Sequence, residues 1–215
     1  MASERVTTDR DLALSHLRRA DLVLARLIDA DPDFDPRAWR TELPPLDAFG
    51  ALLFQVMGQQ LSVPSTRAIL RRVQALFEGR LPTPAEFLAT SPEDLHGTGL
   101  SRRKVATVRA VAEEFVAGRL SDEELQHLSD AAIEARLTAI PGVGPWTVQG
   151  LLIIALDRPD VILPGDLALR KVVRRLYGFD HLPSQQEILE LAERWRPYRS
   201  LATSYLFQAA YGQTD

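Results

Sequence analysis

Between residues 139 and 150 the chain reads Ala-Ile-Pro-Gly-Val-Gly-Pro-Trp-Thr-Val-Gln-Gly, two glycines around one apolar residue where one helix ends and another begins at Pro145. Gly142 and Gly144 can take backbone angles denied to other residues, and Pro145 in a first turn has no orphan N–H. The N–H groups at that helix start point outward, so a phosphate can sit there with the helix dipole behind it. The same spacing also makes an ordinary tight turn between two helices, and the residues alone leave both readings open. A dinucleotide fingerprint is excluded, because Thr147 stands where a third glycine belongs and no strand precedes the turn. A weaker echo occurs at Gly97-Thr98-Gly99-Leu100-Ser101, again before a basic helix.

Asp166 is the second group of interest. It follows Pro164-Gly165 and precedes an apolar-periodic helix, Leu167 to Tyr177, so its type and place make it an N-cap. A helix N-terminus also favours a fixed negative charge, and the two roles are compatible. His16, His96, His127 and His181 show no metal-ligand spacing and read as surface or satisfied core residues. With no cysteine, a disulfide framework, thiolate zinc, a thiol nucleophile and a cysteine-ligated iron-sulfur cluster are excluded. Any chemistry must come from oxygen, nitrogen or the backbone.

The elements that must hold these groups read as helix after helix. Capping signals recur at Thr83 to Glu86, Ser91 to Asp94, Ser121 to Glu124 and Ser184 to Glu187. Leu12 to Leu27 suggests a first helix, and Leu46 to Met57 a second that is apolar nearly all round and therefore buried. Helices ending at Gly79 and Gly118 follow, then others over 130–139, 145–156, 167–177, 187–195 and 198–211. No run alternates as a strand, so the expected fold is all-α. The 215 residues, 46% of them apolar, fit one domain or two packed lobes. The longest apolar stretch, Leu151 to Leu156, is far short of a membrane span, so a soluble, cytoplasmic protein is expected.

The net charge of -4 argues at first against nucleic acid. The average hides an asymmetry, for the stretch from Glu113 to Glu134 alone carries -6. Bases gather at Arg67, Arg71, Arg72 and Arg80, at Arg102, Arg103, Lys104 and Arg109, and at Arg170, Lys171, Arg174 and Arg175. Arginine forks suit phosphate, although basic clusters on helices also serve as solvated faces.

The segment from Ile140 to Val148 resembles the helix-hairpin-helix of the DNA glycosylase superfamily. Asp160 to Asp166 resembles the loop carrying that family's catalytic aspartate. Three more segments match its alkylbase branch, the 3-methyladenine DNA glycosylase II type: Met57 to Ser62, Gly99 to Lys104, and Arg194 to Ala202. The likeness runs in register from about residue 46 to 210.

The resemblance implies a two-lobed helical fold with Asp166 at the mouth of the cleft between lobes. Residues 58–160 are expected to form a middle lobe with the hairpin at 140–146, and 1–57 plus 161–215 a lobe built from both termini. Some relatives carry a separate N-terminal mixed α/β domain, which is not expected here because Leu46 already begins the shared region. The implied activity is a monofunctional hydrolase in base excision repair. It flips an alkylated purine of the 3-methyladenine and 7-methylguanine class out of duplex DNA and breaks its N-glycosidic bond, with Asp166 stabilising an oxocarbenium-like transition state.

Trp146 stands where relatives with lyase activity place a Schiff-base lysine. Trp146 and Phe207 are the matched candidates for an aromatic wall facing a cationic base, and both positions also fit core packing. Trp195 and Tyr198 fall in the same match. Gln60 sits at the intercalating position, so Gln60 or Leu61 is the implied wedge; a buried glutamine capping a neighbouring helix is the alternative. Gly142, Val143 and Gly144 would hold a phosphate, and the carbonyls of Thr138, Ile140 and Val143 a structural monovalent cation, Na+ or K+, with no organic cofactor. Gly150 stands where some relatives carry a pocket tyrosine, which implies a wider pocket. The expected partner is duplex DNA, met by a monomer and no membrane. Two rivals remain: a non-catalytic binder of damaged DNA, and an oxidised-base glycosylase with lyase activity.

Overall fold

Helix starts in this chain are marked by short oxygen-bearing side chains. The computed structural model describes residues 9–38 and 43–211. In it, ten helices carry an Asp, Ser or Thr N-cap whose side chain accepts from a first-turn N–H. Each such cap satisfies a donor the helix would otherwise orphan. Among the described residues the architecture is all-α, with thirteen α-helices and no strand, and no helix is long and apolar enough to cross a membrane. The chain divides into a terminal unit, Met1–Trp39 with Arg158–Asp215, and a middle unit, Arg40–Asp157.

The terminal unit opens with α1 (Asp9–Ala20) and α2 (Leu22–Ala30). The middle unit holds α3 (Ala48–Gly58), α4 (Val63–Leu76), α5 (Pro84–Ala89), α6 (Pro92–Gly97), α7 (Arg102–Val116), α8 (Asp122–His127), α9 (Asp130–Leu137) and α10 (Pro145–Ile154). The chain then returns to the terminal unit with α11 (Leu167–Tyr177), α12 (Gln185–Ala192), a 3-10 turn (Glu193–Trp195) and α13 (Arg199–Tyr211).

The middle unit is built around α3, which has nine of its eleven residues buried. Phe49 meets Phe87 of α5 and Phe115 of α7 edge to face, at ring separations of 6.2 and 5.8 Å. Helices α4, α7 and α10 also pack on it. This places the expected boundary at residue 58 too late: α3 belongs to the middle unit, because its all-round apolar surface is what α7 and α10 bury.

In the terminal unit the single helix expected across Leu12 to Leu27 is broken at Asp21. Asp21 Oδ1 accepts from the N–H groups of Val23 and Leu24 at 2.9 and 3.2 Å, starting α2 afresh. Its Oδ2 accepts from Tyr177 Oη and Trp195 Nε1, both at 2.9 Å, and the residue is only 4% exposed. Burial first, and then this carboxylate, push the Tyr177 phenol up. One carboxylate therefore joins α1, α2, α11 and the 3-10 turn. Asp21→Ala removes the cap and leaves a buried hydroxyl and a buried indole N–H without an acceptor, so it is expected to destabilise by about 3–5 kcal/mol. A fall in the urea midpoint at unchanged slope checks this.

The arginine clusters largely serve the fold. Arg72 donates to the Thr98 carbonyl, Arg80 pairs with Glu86, and Arg109 donates to Thr90 O. Arg170, Arg174 and Arg175 donate to the carbonyls of Pro183, Asp180 and Ala209. Reading all three clusters as phosphate contacts is therefore too generous. The echo before α7 is likewise a packing feature, its Thr98 carbonyl occupied by Arg72.

Candidate active site

Helix α9 stops at Thr138, and the turn tightens through Ile140 N–H to Leu137 O at 3.0 Å and Val143 N–H to Ile140 O at 3.1 Å. Ile140 and Val143 bury their side chains, which leaves Pro141 and Gly142 on the outside. Gly142 has φ +90°, and a Cβ there would lie 2.0 Å from Thr107 Oγ1 of α7. No other residue fits. Gly144 then runs extended into α10 as an N-cap without a side-chain cap, unlike the ten capped helices, and Pro145 follows in the first turn. The helix start is left open by sequence.

Two more of the segments singled out in the sequence support this hairpin, one bonded to it and the other to the first. Gln59 Nε2 donates to Gly142 O at 3.2 Å and to Thr147 Oγ1 at 2.9 Å. Lys104 Nζ donates to the carbonyls of Met57 and Gln59, both at 2.8 Å, and burial pushes its ammonium pKa down. A glutamine tied to a neighbouring helix thus describes the half-buried Gln59 and not Gln60. Gln60 is exposed and holds φ +59°, a left-handed conformation uncommon outside glycine, and Leu61 beside it is 42% exposed. The brace turned inward at Gln59 presents Gln60 and Leu61 outward.

Trp146 lies half-buried in the first turn of α10, one turn before Gly150 on the same helix face. The widening expected at Gly150 is absent. The Gln55 side chain of α3 occupies that space, its Cδ 2.3 Å from where a Cβ on Gly150 would sit. Neither Gln55 nor the bracing role of Lys104 was foreseen, because both depend on how α3 and α7 pack.

In the terminal unit, the run Val161 to Pro164 is buried, Asp166 N–H turns back to Leu163 O at 3.0 Å, and Asp166 caps α11. Its Oδ1 accepts from Leu169 N–H at 2.9 Å and the side chain is half-buried. Phe207, half-buried on α13, stacks with Tyr211 at 6.0 Å and 23°. Loss of water and then the Asp166 charge push the Tyr211 phenol up. Tyr211 was missed in the sequence, although its four-residue spacing from Phe207 on one helix is the available signal.

The start of α13 anchors the loop that carries Asp166. Ser200 Oγ donates to Arg158 O at 2.6 Å and accepts from Val161 N–H at 3.0 Å, while Ser200 N–H donates to Pro159 O at 3.0 Å. Arg199 donates to the Asp160 carbonyl and carboxylate, each at 2.6 Å, and Arg196 adds a 2.8 Å bond to the same carboxylate. Trp195 is fully buried against Asp21 and belongs to the core. Tyr198 packs edge-on to His16.

Comparison with known proteins places these features in a family. Residues 54–197 match the model of the HhH-GPD superfamily of base excision DNA repair proteins. DNA-3-methyladenine glycosylase 1 of Schizosaccharomyces pombe is 31% identical over 209 residues, covering 96% of this chain and 90% of that protein. DNA-3-methyladenine glycosylase 2 of Escherichia coli is 27% identical over 179 residues, 79% of this chain and 60% of that one. Among solved structures, the Schizosaccharomyces pombe 3-methyladenine DNA glycosylase in complex with abasic DNA superposes with a TM-score of 0.84 at 31% identity, covering 92% of this chain and 95% of that chain.

Proposed function

The chain belongs to the HhH-GPD superfamily of base excision DNA repair proteins, and from that premise we propose that it is a monofunctional DNA glycosylase acting on alkylated purines. The observation that carries this reading is a carboxylate fixed at a helix N-terminus, Asp166, in a chain matched over nearly its whole length by a 3-methyladenine glycosylase. Alkylation at a ring nitrogen makes the base cationic and a good leaving group. Breaking the C1′–N bond sends the electron pair to the base and builds positive charge on the deoxyribose. Asp166 stabilises that charge, then accepts the proton of the water that adds to C1′.

The target nucleotide must first leave the stack. The exposed Gln60 and Leu61 fill the gap, and the aromatic face of the half-buried Trp146 attracts the cationic base. The hairpin N–H groups at Gly142 and Gly144 bind a backbone phosphate, the Val143 N–H expected to join them being turned inward to Ile140 O, with the unengaged, exposed Arg102 and Arg103 nearby in sequence to the Lys104 brace adding charge. The carbonyls of Thr138, Ile140 and Val143 are neutral oxygen donors at the end of α9, a set that suits a singly charged cation. Held there, such an ion would supply positive charge at the hairpin.

Incubation with methylated duplex DNA tests the proposal. Strand breaks are expected only after alkali, which marks abasic sites, and borohydride is expected to trap no covalent adduct because tryptophan replaces the Schiff-base lysine. Breaks without alkali, or a trapped adduct, would point to a lyase. The Ser200 anchor makes a further prediction. Ser200→Ala loosens the Asp166 loop and is expected to slow single-turnover base release roughly tenfold at unchanged DNA affinity.

A further inference from the structure

The turn that follows α3 and the hairpin before α10 are bonded to each other through Gln59. Its amide Nε2 donates to Gly142 O in the hairpin and to the buried Thr147 Oγ1 in the first turn of α10. Its backbone carbonyl accepts from Lys104 Nζ of α7, which also holds Met57 O at 2.8 Å. No carboxylate pairs with that ammonium among the described residues, so its charge is directed at carbonyls of the C-terminal end of α3, where the helix dipole favours a cation. The next residue, Gln60, is exposed and holds φ +59°. A left-handed glutamine persists only where its neighbours fix it. Here they do so from both sides: Gln59 is held by α7 and α10, Leu61 N–H returns to Gly58 O at 3.1 Å, and Ser62 caps α4.

We propose that Gln59 and Lys104 are positioning residues that tie insertion of the wedge to capture of the backbone phosphate, an inference that rests on the reading of Gln60, Leu61 and the hairpin given above. Gly142 offers its N–H to the phosphate while its carbonyl is held by Gln59. A phosphate seated at the hairpin therefore fixes where the adjoining Gln60 and Leu61 meet the base stack. Without the tie the hairpin keeps its own contacts, Gly142 its packing on Thr107 and Val143 N–H its bond to Ile140 O. Phosphate is then still gripped, and what is lost is the register of the wedge. Extruding a nucleotide is unfavourable and needs a side chain placed at the gap it leaves. The two residues thus act on extrusion and not on the grip itself.

The test is a duplex carrying 2-aminopurine beside an abasic analogue, whose fluorescence rises when the stack around it opens, titrated with wild type, Gln59→Met and Lys104→Met. Each substitution keeps an unbranched apolar stem without the donors, and a thermal melt selects a variant that folds as wild type does. The expected result is DNA affinity within about threefold of wild type, because phosphate contacts still supply it, with most of the fluorescence rise lost at saturating protein. Single-turnover base release from methylated duplex is expected to fall about tenfold. Gln59→Met added to Gln60→Ala and Leu61→Ala is expected to slow release no further, because the wedge through which it acts is gone. A full fluorescence rise in a variant of native melting temperature, whether or not its affinity falls, would overturn the proposal. The fluorescence needs no chemistry. A wild type that opened the stack and released no base would end the glycosylase reading alone, and one that opened no stack would end this inference.

Discussion

Asp166→Asn is expected to slow base release about a thousandfold while the protein folds and binds DNA as wild type does. Asparagine has nearly the same size and caps helices as well as aspartate, so its carbonyl can keep the 2.9 Å bond from Leu169 N–H. What disappears is the charge. A carboxylate about 4 Å from an oxocarbenium centre, at an effective dielectric near 20, contributes on the order of 4 kcal/mol, or roughly a thousandfold in rate. Asp166→Ala removes the cap as well and is expected to cost about 1 kcal/mol of stability in addition. Rates under single-turnover conditions, with melting curves for the same samples, separate the two effects. A loss of less than about tenfold for Asp166→Asn would mean that the charge does little in the rate-limiting step.

The two hairpin glycines are expected to respond in opposite ways. Gly142→Ala must place a Cβ 2.0 Å from Thr107 Oγ1 and 3.1 Å from its Cβ, at φ +90°. Backbone strain and overpacking together are expected to cost about 3–5 kcal/mol and to distort the turn enough to abolish tight DNA binding. Gly144→Ala meets nothing within 4 Å and has φ -111°, so stability should stay within about 0.5 kcal/mol while DNA affinity falls because a methyl now stands at the open helix start. Thr107→Ala removes the Oγ1 and Cγ2 collisions but leaves the 3.1 Å approach to the Cβ and the backbone strain, and so recovers part of the Gly142→Ala loss in a double-mutant cycle. Urea midpoints and salt-controlled DNA affinities measure both. Equal destabilisation by the two glycine substitutions would show that the hairpin is held by something other than the Gly142 contact with α7.

Much of this was readable in the sequence because it is local. The caps at Thr83, Ser91, Ser121 and Ser184, the apolar α3, the glycine turn before Pro145 and the cap at Asp166 are each written within a few residues. Asp21 is an instructive failure: apolar periodicity ran through it, and only the carboxylate taking two N–H groups together with Tyr177 and Trp195 shows why the helix restarts. The arginine clusters misled for the reverse reason, since runs of bases look alike whether they await phosphate or clamp carbonyls such as those of Pro183 and Ala209. Gln55 was invisible because its meaning lies in a glycine about a hundred residues away, a relation fixed by helix packing and not by spacing.

Chromatography of the free bases released from methylated duplex DNA by wild type and by Asp166→Asn, with DNA affinity recorded for both, decides whether the Asp166 carboxylate carries base excision. Methylated adenine is expected in the wild-type supernatant, almost none with Asp166→Asn, and equal affinities for both. Equal release by both proteins, or DNA binding with no base released by either, would contradict that role.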